Sequence, residues 1–342
     1  MRTNNLVISI LITFLLVSCN SVNLNVKMTD QLDSFIVFMT DRNGQWEWYS
    51  MRSDGSEQTP FNISLPADNT IVGIWWEDVL GKFIFVLEDS QQNQDIYTYD
   101  YNKKDLKRIT KDGVVKSEVA FSKKTSTYIF VCFMNGLNIC KFSEKDNKFT
   151  QLTTFITNES SPKWINDENI LFVSDNTGIP NIWSMDKNGG NLKNLSNVGF
   201  TEQNPSISNI NQLIAFESQR DGNWNIFLMD FAGKGVSNLT KSDSTNVEPL
   251  WSPNGEWIAF LSNRNGYWEI FAISRDGSEV LSLSKNYKYP IQHFSWSPDG
   301  SALIWVAEKD DYLQIFKTNI QDQEIIQLTT TISHNNSPIW IH

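Results

Sequence analysis

The 342-residue sequence predicts an all-β fold, a seven-bladed β-propeller whose blades are four-stranded antiparallel sheets. Three observations predict it. The phrase WSPNGEWIAFLSNRNGYWEIFAISRDG, residues 251–277, returns in related form about every 44 residues. Each repeat holds apolar runs of strand length that are separated by turn-forming residues. No stretch after the N-terminal segment keeps a 3.6-residue apolar period, so helices are not expected.

The repeat is anchored on one register residue, the aromatic or aliphatic residue that precedes the turn SPNG or its equivalent. Successive register residues are 45, 43, 43, 44, 45 and 44 positions apart. A period of about 40–45 residues with four strands in each unit is typical of propeller blades. The register residues are Trp76, Phe121, Trp164, Ile207, Trp251, Trp296 and Trp340.

Each unit contains four predicted strands in the same order. The first strand ends at the register residue, as in VEPLW and SSPKW. A tight turn such as SPNG or SPDG follows, because Asn-Gly and Asp-Gly accept the positive φ angles that short turns need. The second strand is strongly apolar, as in WIAFLS, and the third is aromatic and β-branched, as in YWEIFAI. The fourth strand closes on sequences such as SNLT and IQLTT.

The two ends of the repeat array complete one blade between them. The run FIVFMT, which begins at Phe35, is a second strand with no first strand before it. The run SPIWIH at the C-terminus is a first strand with no second strand after it. Pairing the two runs closes the ring and removes an open sheet edge. We therefore expect one seven-bladed propeller over residues 35–342.

The repeat resembles the WD40-like repeat of TolB-type propellers, whose phrase is close to P-x-W-S-P-D-G followed by I-A-F-x-S-x-R-x-G. Pro249 to Gly266 follows it nearly throughout, Pro205 to Gly222 follows its second half, and WSPDG recurs up to Gly300. The resemblance implies the propeller fold and little about function. TolB is known for six blades and a separate α/β domain, so seven blades without that domain is an expected departure. The departure weakens any inference of a Tol–Pal partnership.

Similar propellers also occur in enzymes, whose catalytic parts are not expected here. Prolyl-oligopeptidase-type peptidases carry a hydrolase domain with a serine elbow, and this sequence contains no G-x-S-x-G. Propeller lyases that cleave pectate fragments need several histidines at the axis. This chain has three His, and only His293 falls near the start of an innermost strand. We therefore expect a protein that is not an enzyme and that uses no metal and no cofactor.

The composition also limits the partners. The net charge is −11 at pH 7, whereas a nucleic-acid-binding surface needs a basic footprint, so nucleic acid is not an expected partner. The negative charge is explained by solubility. Three Cys and three His are few for a zinc site, which needs three or four converging ligands.

The N-terminal segment MRTNNLVISILITFLLVSC predicts export and lipid attachment. Its apolar run, residues 6–17, has 12 residues, whereas a membrane-spanning helix needs about 20. A short apolar run behind Arg2 is typical of a secretory signal. The ending LVSC resembles the bacterial lipobox, which implies a signal peptide of residues 1–18 and acylation of Cys19; a plain signal peptide is the alternative. Residues 19–34 read as a flexible tether to a membrane, and Asn20 favours the outer membrane, facing the periplasm or the cell surface.

A ring of polar residues is expected at one mouth of the central channel. The residue three positions before each register residue falls near the start of an innermost strand, where the strands converge. Converging polar groups in a concavity are the default prediction for a binding site; the alternative is that strand starts are simply polar and wet. The candidates are Glu118, Ser161, Asn204, Glu248, His293 and Ser337, with Gly73 in the remaining blade. The residue five positions before adds Lys116, Glu159, Glu202, Asn246 and Asn335.

The SxRxG turns place Arg42, Arg220 and Arg264 at one position in three blades. Arg42 and Arg264 are followed five residues later by Glu47 and Glu269. This spacing favours a cross-strand ion pair or a packed arginine stem, with a ligand contact as the alternative.

Cys132 and Cys140 flank a turn that contains Asn135 and Gly136 in the third blade. A two-residue Asn-Gly turn would point the two side chains to opposite faces and leave two buried thiols. A three-residue loop, 135–137, would place the two cysteines directly opposite each other. The oxidising compartment of an exported protein would then favour a disulfide. Because Asn-Gly favours the two-residue turn, we expect free thiols.

The leading functional hypothesis is a non-enzymatic binding or scaffolding module of the bacterial cell envelope, which engages a protein or peptide through one propeller face. It rests on analogy of fold and on missing catalytic motifs. The alternative is carbohydrate binding or processing. Exposed tryptophans could then stack on sugar rings, and the candidates are Trp46, Trp48, Trp75 and Trp224.

Overall fold

The computed structural model describes residues 34–77, 80–285 and 287–341. Within these ranges the chain forms seven four-stranded antiparallel sheets and no helix, as the repeat predicts. Accordingly, no helix in the described ranges has the length and apolar character needed to cross a membrane. The predicted signal peptide, Cys19 and all but the last residue of the predicted tether lie outside the described residues.

Each blade contributes one strand to each of four concentric positions. The innermost strands are β4 (Thr70–Glu77), β8 (Lys116–Ser122), β12 (Glu159–Asn166), β16 (Glu202–Ser208), β20 (Asn246–Trp251), β24 (Ile291–Trp296) and β28 (Asn335–Ile341). The second strands are β1 (Phe35–Thr40), β5 (Lys82–Glu88), β9 (Thr127–Phe133), β13 (Asn169–Ser174), β17 (Leu213–Ser218), β21 (Trp257–Ser262) and β25 (Ala302–Lys309).

The third strands are β2 (Glu47–Arg52), β6 (Gln94–Asp100), β10 (Leu137–Ser143), β14 (Asn181–Asp186), β18 (Asn225–Asp230), β22 (Glu269–Ser274) and β26 (Tyr312–Asn319). The outermost strands are β3 (Thr59–Pro60), β7 (Asp105–Arg108), β11 (Lys148–Gln151), β15 (Lys193–Asn194), β19 (Ser237–Asn238), β23 (Val280–Ser282) and β27 (Ile325–Gln327). We number the blades from blade 1, which contains β1, to blade 7, which contains β24.

Blade 1 is closed by the two ends of the array. Its strand order is β28-β1-β2-β3, and Phe35 pairs with Ile341 while Ile36 pairs with Trp340. The prediction that the C-terminal strand joins the N-terminal blade is therefore confirmed. The closed ring leaves β1 no free edge, which is the physical reason for the shared blade.

The core consists of apolar layers between neighbouring blades. The second strands are apolar on both faces because each blade is covered on both sides; β21, for example, buries all its residues except the first. Every second strand has a completely buried aromatic residue at one equivalent position, and burying such a side chain contributes about 1.5–3 kcal/mol. These residues are Phe38, Phe85, Phe130, Phe172, Phe216, Phe260 and Trp305.

The strand directions give the propeller two different faces. The innermost strands begin on one face, which also carries the turns between second and third strands and the connections between blades; we call it the connection face. The other face carries the turns between first and second strands and between third and fourth strands; we call it the turn face. The described propeller begins on the turn face, because Phe35 pairs with the last residue of β28.

Candidate functional site

The predicted channel-mouth residues lie on the connection face, each at an irregularity of an innermost strand. In all seven blades the pairing register between the first and second strands shifts at this position. Such β-bulges re-aim the strand and often adjoin functional sites. Gly73 and His293 follow a one-residue shift, whereas the other five positions begin a two-residue bulge.

Five of the bulges hold a non-glycine residue in the left-handed backbone region. This conformation costs on the order of 1 kcal/mol or more for each residue, so the surrounding blades must hold it in place. The repetition in five blades shows that the bulge belongs to the repeat rather than to one ligand contact. The residues and their φ angles are Glu118 (52°), Ser161 (54°), Asn204 (50°), Glu248 (57°) and Ser337 (51°).

The bulges connect neighbouring blades through carboxylate groups. The backbone N–H of Ser161 in blade 4 donates to Oε2 of Glu118 in blade 3. Oε1 of Glu217, in blade 5, accepts from Asn204 Nδ2 at 2.7 Å and from the backbone N–H of Glu248 in blade 6 at 2.6 Å. The structure therefore brings Glu118 to Ser161 and joins Asn204 to Glu248 through Glu217, a residue that the sequence analysis did not select.

Glu217 and Glu248 form an acidic pair at the border of blades 5 and 6. Burial raises the pKa of Glu217, which is only 1% exposed. Burial, followed by repulsion from Glu217, raises the pKa of Glu248 to about 7. One of the predicted ring positions can therefore exchange a proton near neutral pH.

The remaining two candidates lie on the other side of the ring. Burial lowers the pKa of His293. The N–H of Ser337 donates to Oδ1 of Asn336 at 2.7 Å, and Asn336 donates to Gln292 of blade 7 at 3.5 Å. In the described part of the chain no three His, Cys, Asp or Glu side chains are grouped so that they could hold a metal ion.

The residues five positions before the register residues are structural rather than part of the mouth. All five are at most 4% exposed, although the sequence analysis placed them around the funnel. Glu159, for example, accepts hydrogen bonds at 3.0 Å from Thr153 of the preceding blade and from Ser174 of its own blade. Burial raises the pKa of Glu159. Third strands and connections between blades cover these side chains. Because hydrogen bonds such as that between Thr153 and Glu159 cross from one blade to the next, they hold adjacent blades together.

The SxRxG arginines are packed on aromatic rings, which is one of the two structural alternatives. The guanidinium groups of Arg42 and Arg264 lie 4.4 Å from the ring centres of Tyr49 and Phe271. Arg264 also donates to Asn246 at 3.1 Å, so the stacked cation anchors an innermost strand.

The expectation of free thiols is wrong, because Cys132 and Cys140 form a disulfide with Cα atoms 5.9 Å apart. The turn between β9 and β10 in blade 3 has three residues, 134–136. In this register Cys132 pairs with Asn138, and Cys140 pairs with Phe130. The two cysteines are therefore diagonal neighbours on the same face of the hairpin. Both are 0% exposed, and the bridge belongs to the apolar core between blades 2 and 3.

Next to this disulfide in the chain, the turn carries an exposed apolar surface, which we call the hairpin patch. Phe133 is 60% exposed and Ile156, in the connection to blade 4, is 93% exposed. The hairpin contacts the two connections that flank it through backbone atoms. The N–H of Phe133 donates to the carbonyl oxygen of Val115 at 3.3 Å, and a Cβ atom added at Gly136 would lie 3.7 Å from the carbonyl oxygen of Ile156. The patch consists of Val115, Phe133, Met134, Leu137 and Ile156.

The tryptophans expected to be exposed are all half-buried. The ring of Trp46 stacks on His334 with ring centres 6.4 Å apart, and the ring of Trp75 lies against Gly73, which leaves no room for a side chain there. Their rings pack on neighbouring elements, because large aromatic groups gain more from burial than from exposure. The four residues are Trp46, Trp48, Trp75 and Trp224.

A second concavity, which the sequence analysis did not predict, opens at the turn-face end of the channel. Its volume is about 950 Å³, and three lysines, Lys123, Lys124 and Lys163, line it. The sequence signal was present at Lys163, which stands one residue before the register residue Trp164. That position holds no charged residue in the other blades, where it is Trp75, Ala120, Ser206, Leu250, Ser295 and Ile339.

Comparison with known proteins agrees with the fold and the repeat. The family described as TolB beta propeller domain matches residues 210–341, which is less than half of the chain. No curated protein sequence matches. The structure is similar to TolB from Acinetobacter baumannii, with a TM-score of 0.56 and 16% identity over 90% of this chain and 66% of that chain.

Two groups of enzymes share the propeller. A puromycin-hydrolyzing peptidase of Mycobacterium tuberculosis gives a TM-score of 0.66 at 13% identity, over 88% of this chain and 52% of that chain. An oligogalacturonate lyase from Vibrio parahaemolyticus gives 0.61 at 13% identity, over 86% of this chain and 84% of that chain. The chain thus spans about two thirds of TolB and about half of the peptidase. The resemblance to TolB-like propellers is confirmed, and at these identities the similarity concerns the fold.

Proposed function

We propose that this protein is a non-enzymatic binding module of the bacterial cell envelope that holds a protein or peptide against its connection face. The observation that carries the proposal is the hairpin patch with its disulfide. An apolar surface held by a rigid support is typical of protein-binding sites, because the exposed side chains lose little entropy when a partner covers them.

The position of the patch supports contact with an extended partner. It lies beside the channel mouth, where the N–H of Ser161 and the carboxylate of Glu118 form part of a polar rim. An apolar centre with a polar rim is the usual anatomy of protein interfaces. A single aromatic residue such as Phe133 can supply a large share of the binding energy in such a centre.

Membrane attachment through Cys19 belongs to the same proposal. The first strand begins at Phe35 on the turn face, so a lipid on Cys19 would tether the propeller by that face and leave the connection face free. The lipobox-like ending LVSC and the TolB-like repeat support an exported, lipid-anchored protein, with the outer membrane as the favoured location.

A binding role fits the residues better than catalysis. The sequence has no G-x-S-x-G, and the channel-mouth carboxylates are engaged with backbone N–H groups of neighbouring blades. The carbohydrate alternative has little support from the tryptophans named for it, because they are half-buried.

Site-specific crosslinking in living cells tests the proposal. A photoreactive amino acid is placed at Phe133, which is 60% exposed in the patch, and at Ile210, which is 68% exposed on the turn face. We expect a discrete crosslinked protein from position 133 and none of the same mass from position 210. Equal crosslinking from both positions, or none from position 133, would contradict a partner on the hairpin patch.

A further inference from the structure

The concavity at the turn-face end of the channel has the size and position of a ligand site. It is formed where β8 and β12 end, together with Glu77 at the end of β4 and the first turn of blade 5. Its volume of about 950 Å³ lies within the range of small-molecule sites, about 300–1,000 Å³. It lies at the opposite end of the channel from the hairpin patch, so it is independent of the partner proposed above.

Lys163 is the distinguishing residue of this cavity. Its side chain is exposed to solvent at the cavity, and the protein atoms around the ammonium group lower its pKa. Within the described residues it forms neither a hydrogen bond nor a salt bridge, although Glu118 acts on it from farther away. The ammonium group is therefore accessible from the cavity and has no close partner in the described part of the protein, so an anionic ligand can pair with it.

The neighbouring lysines depart from the repeat as well. Lys123 and Lys124 occupy a turn where blades 6 and 7 carry Pro-Asn and Pro-Asp. Lys124 lies 4.0 Å from Asp167, and Glu77 also lines the cavity. Three lysines against two carboxylates make the lining net positive, whereas the whole chain carries −11. Selective placement of positive charge in an acidic protein focuses anions on this site.

The other lining groups favour a ligand with hydroxyl groups and an apolar ring face. The amides of Asn209 and Gln212 form no side-chain hydrogen bond within the described residues, so they are free to bind hydroxyls. Trp164 and Phe231 add aromatic surface. A few converging polar groups on an aromatic wall provide orientation and specificity in small-ligand sites.

We propose that the turn-face end of the channel binds an acidic saccharide, whose carboxylate pairs with Lys163 and whose hydroxyls bond to the amides of Asn209 and Gln212. Charge-assisted hydrogen bonds from a lysine to a carboxylate are stronger than neutral ones, which makes Lys163 the main determinant of affinity. Lys123 adds attraction at the rim of the cavity.

Calorimetric titration of the purified full-length protein tests the proposal with three probes. D-glucuronate carries the ring and the carboxylate, D-glucose carries the ring alone, and acetate carries the carboxylate alone. We expect glucuronate to bind at least about tenfold more tightly than either of the others, since a hydrogen bond to a charged group is worth about that factor. Undetectable glucuronate binding would overturn the proposal. Equal binding of acetate would overturn the saccharide, and equal binding of glucose would overturn the role of charge.

Matched variants connect the binding to the cavity. Lys163→Gln should weaken glucuronate binding about tenfold or more and leave the melting temperature unchanged. Lys187→Gln is the control, because Lys187 lies in the same blade but is paired with Glu168 at 2.6 Å outside the cavity. Glucuronate affinity that is unchanged in Lys163→Gln, or reduced equally in both variants, would overturn the assignment.

Discussion

Deleting the last six residues, 337–342, should remove most of the stability of the propeller. The deletion removes the part of β28 that pairs with Phe35 to Val37, including Trp340 and Ile341, which are 6% and 0% exposed. Truncating a buried Trp costs about 3–5 kcal/mol and a buried Ile about 2–5 kcal/mol. The expected loss of about 5–10 kcal/mol is comparable with the whole free energy of unfolding of a typical protein, about 5–15 kcal/mol.

Thermal unfolding followed by circular dichroism, together with size-exclusion chromatography, measures the effect. At about 2 °C for each kcal/mol, the melting temperature should fall by at least about 10 °C. The exposed edge of β1 should also recruit other chains and produce oligomers. A truncated protein that stays monomeric and melts within about 3 °C of the full chain would refute the shared blade.

A pair of point variants separates burial in the blade from the chemistry of the substitution. Ile341→Asp places a charge at a completely buried position of β28, whereas Ile332→Asp places the same charge at a position that is 85% exposed just before that strand. The first should be strongly destabilising, and the second should change the free energy of unfolding by less than about 0.5 kcal/mol. Equal losses would show that closure of blade 1 is not the cause.

Three further predictions concern other parts of the chain. A palmitate analogue should label the wild type and not Cys19→Ala, because acylation requires that thiol; an unlabelled wild type would contradict the lipobox interpretation. Thiol titration of the denatured, unreduced, lipidated protein should find no free thiol, since Cys132 and Cys140 are bridged; two free thiols would contradict the bridge. The pKa of Glu248 is raised to about 7, so the folded protein binds a proton that the unfolded chain releases near its ordinary pKa of about 4.3. Melting temperature should therefore decline as pH rises from about 4.3 to about 7, and Glu248→Gln should flatten the decline; an unchanged profile would exclude Glu248 as its source.

The architecture could be predicted because it is written in local signals that recur seven times. A register residue, a turn and an apolar run repeat every 43–45 residues, and each copy reports the same four strands. Closure by β28 was predictable too, since Phe35 begins an unpaired second strand and the C-terminal run lacks a partner. These features can be predicted without knowing how one blade packs on the next.

The contacts between blades could not be predicted from the local repeat pattern. Glu159 and Glu118 are acidic residues near the starts of innermost strands, yet one is 0% exposed and fastened to the preceding blade and the other is exposed at the mouth. Glu217 lies in an apolar second strand, and only the bulge of blade 6 brings the Glu248 N–H to it. Such pairings depend on the curvature of the ring, which local patterns do not encode.

The expectation of free thiols failed for a different reason, because the repeat itself contained the information needed to predict the disulfide. In six blades the buried aromatic residue of the second strand pairs with an aromatic residue of the third, as Phe260 pairs with Phe271. Aligning blade 3 on this rule places Phe130 opposite Cys140, which is the observed register and puts both cysteines on one face. The Asn-Gly pair alone led to the wrong turn length. Asn135 and Gly136 adopt positive φ angles of 96° and 144°, and a three-residue loop accommodates such angles as well as a two-residue turn does.

A repeat protein therefore carries its own alignment, and a departure from that alignment in a single blade is informative. A residue needed by every blade appears in most copies, as the strained bulge does at Glu118 and Glu248. A residue needed only by a local feature breaks the pattern once. Cys140 replaces an aromatic residue and is bridged to Cys132, next to the hairpin patch, and Lys163 places a charge where six blades have none. On this reasoning the two single departures, one near each end of the channel, mark the places where this propeller differs from a generic one and where its ligands should be sought.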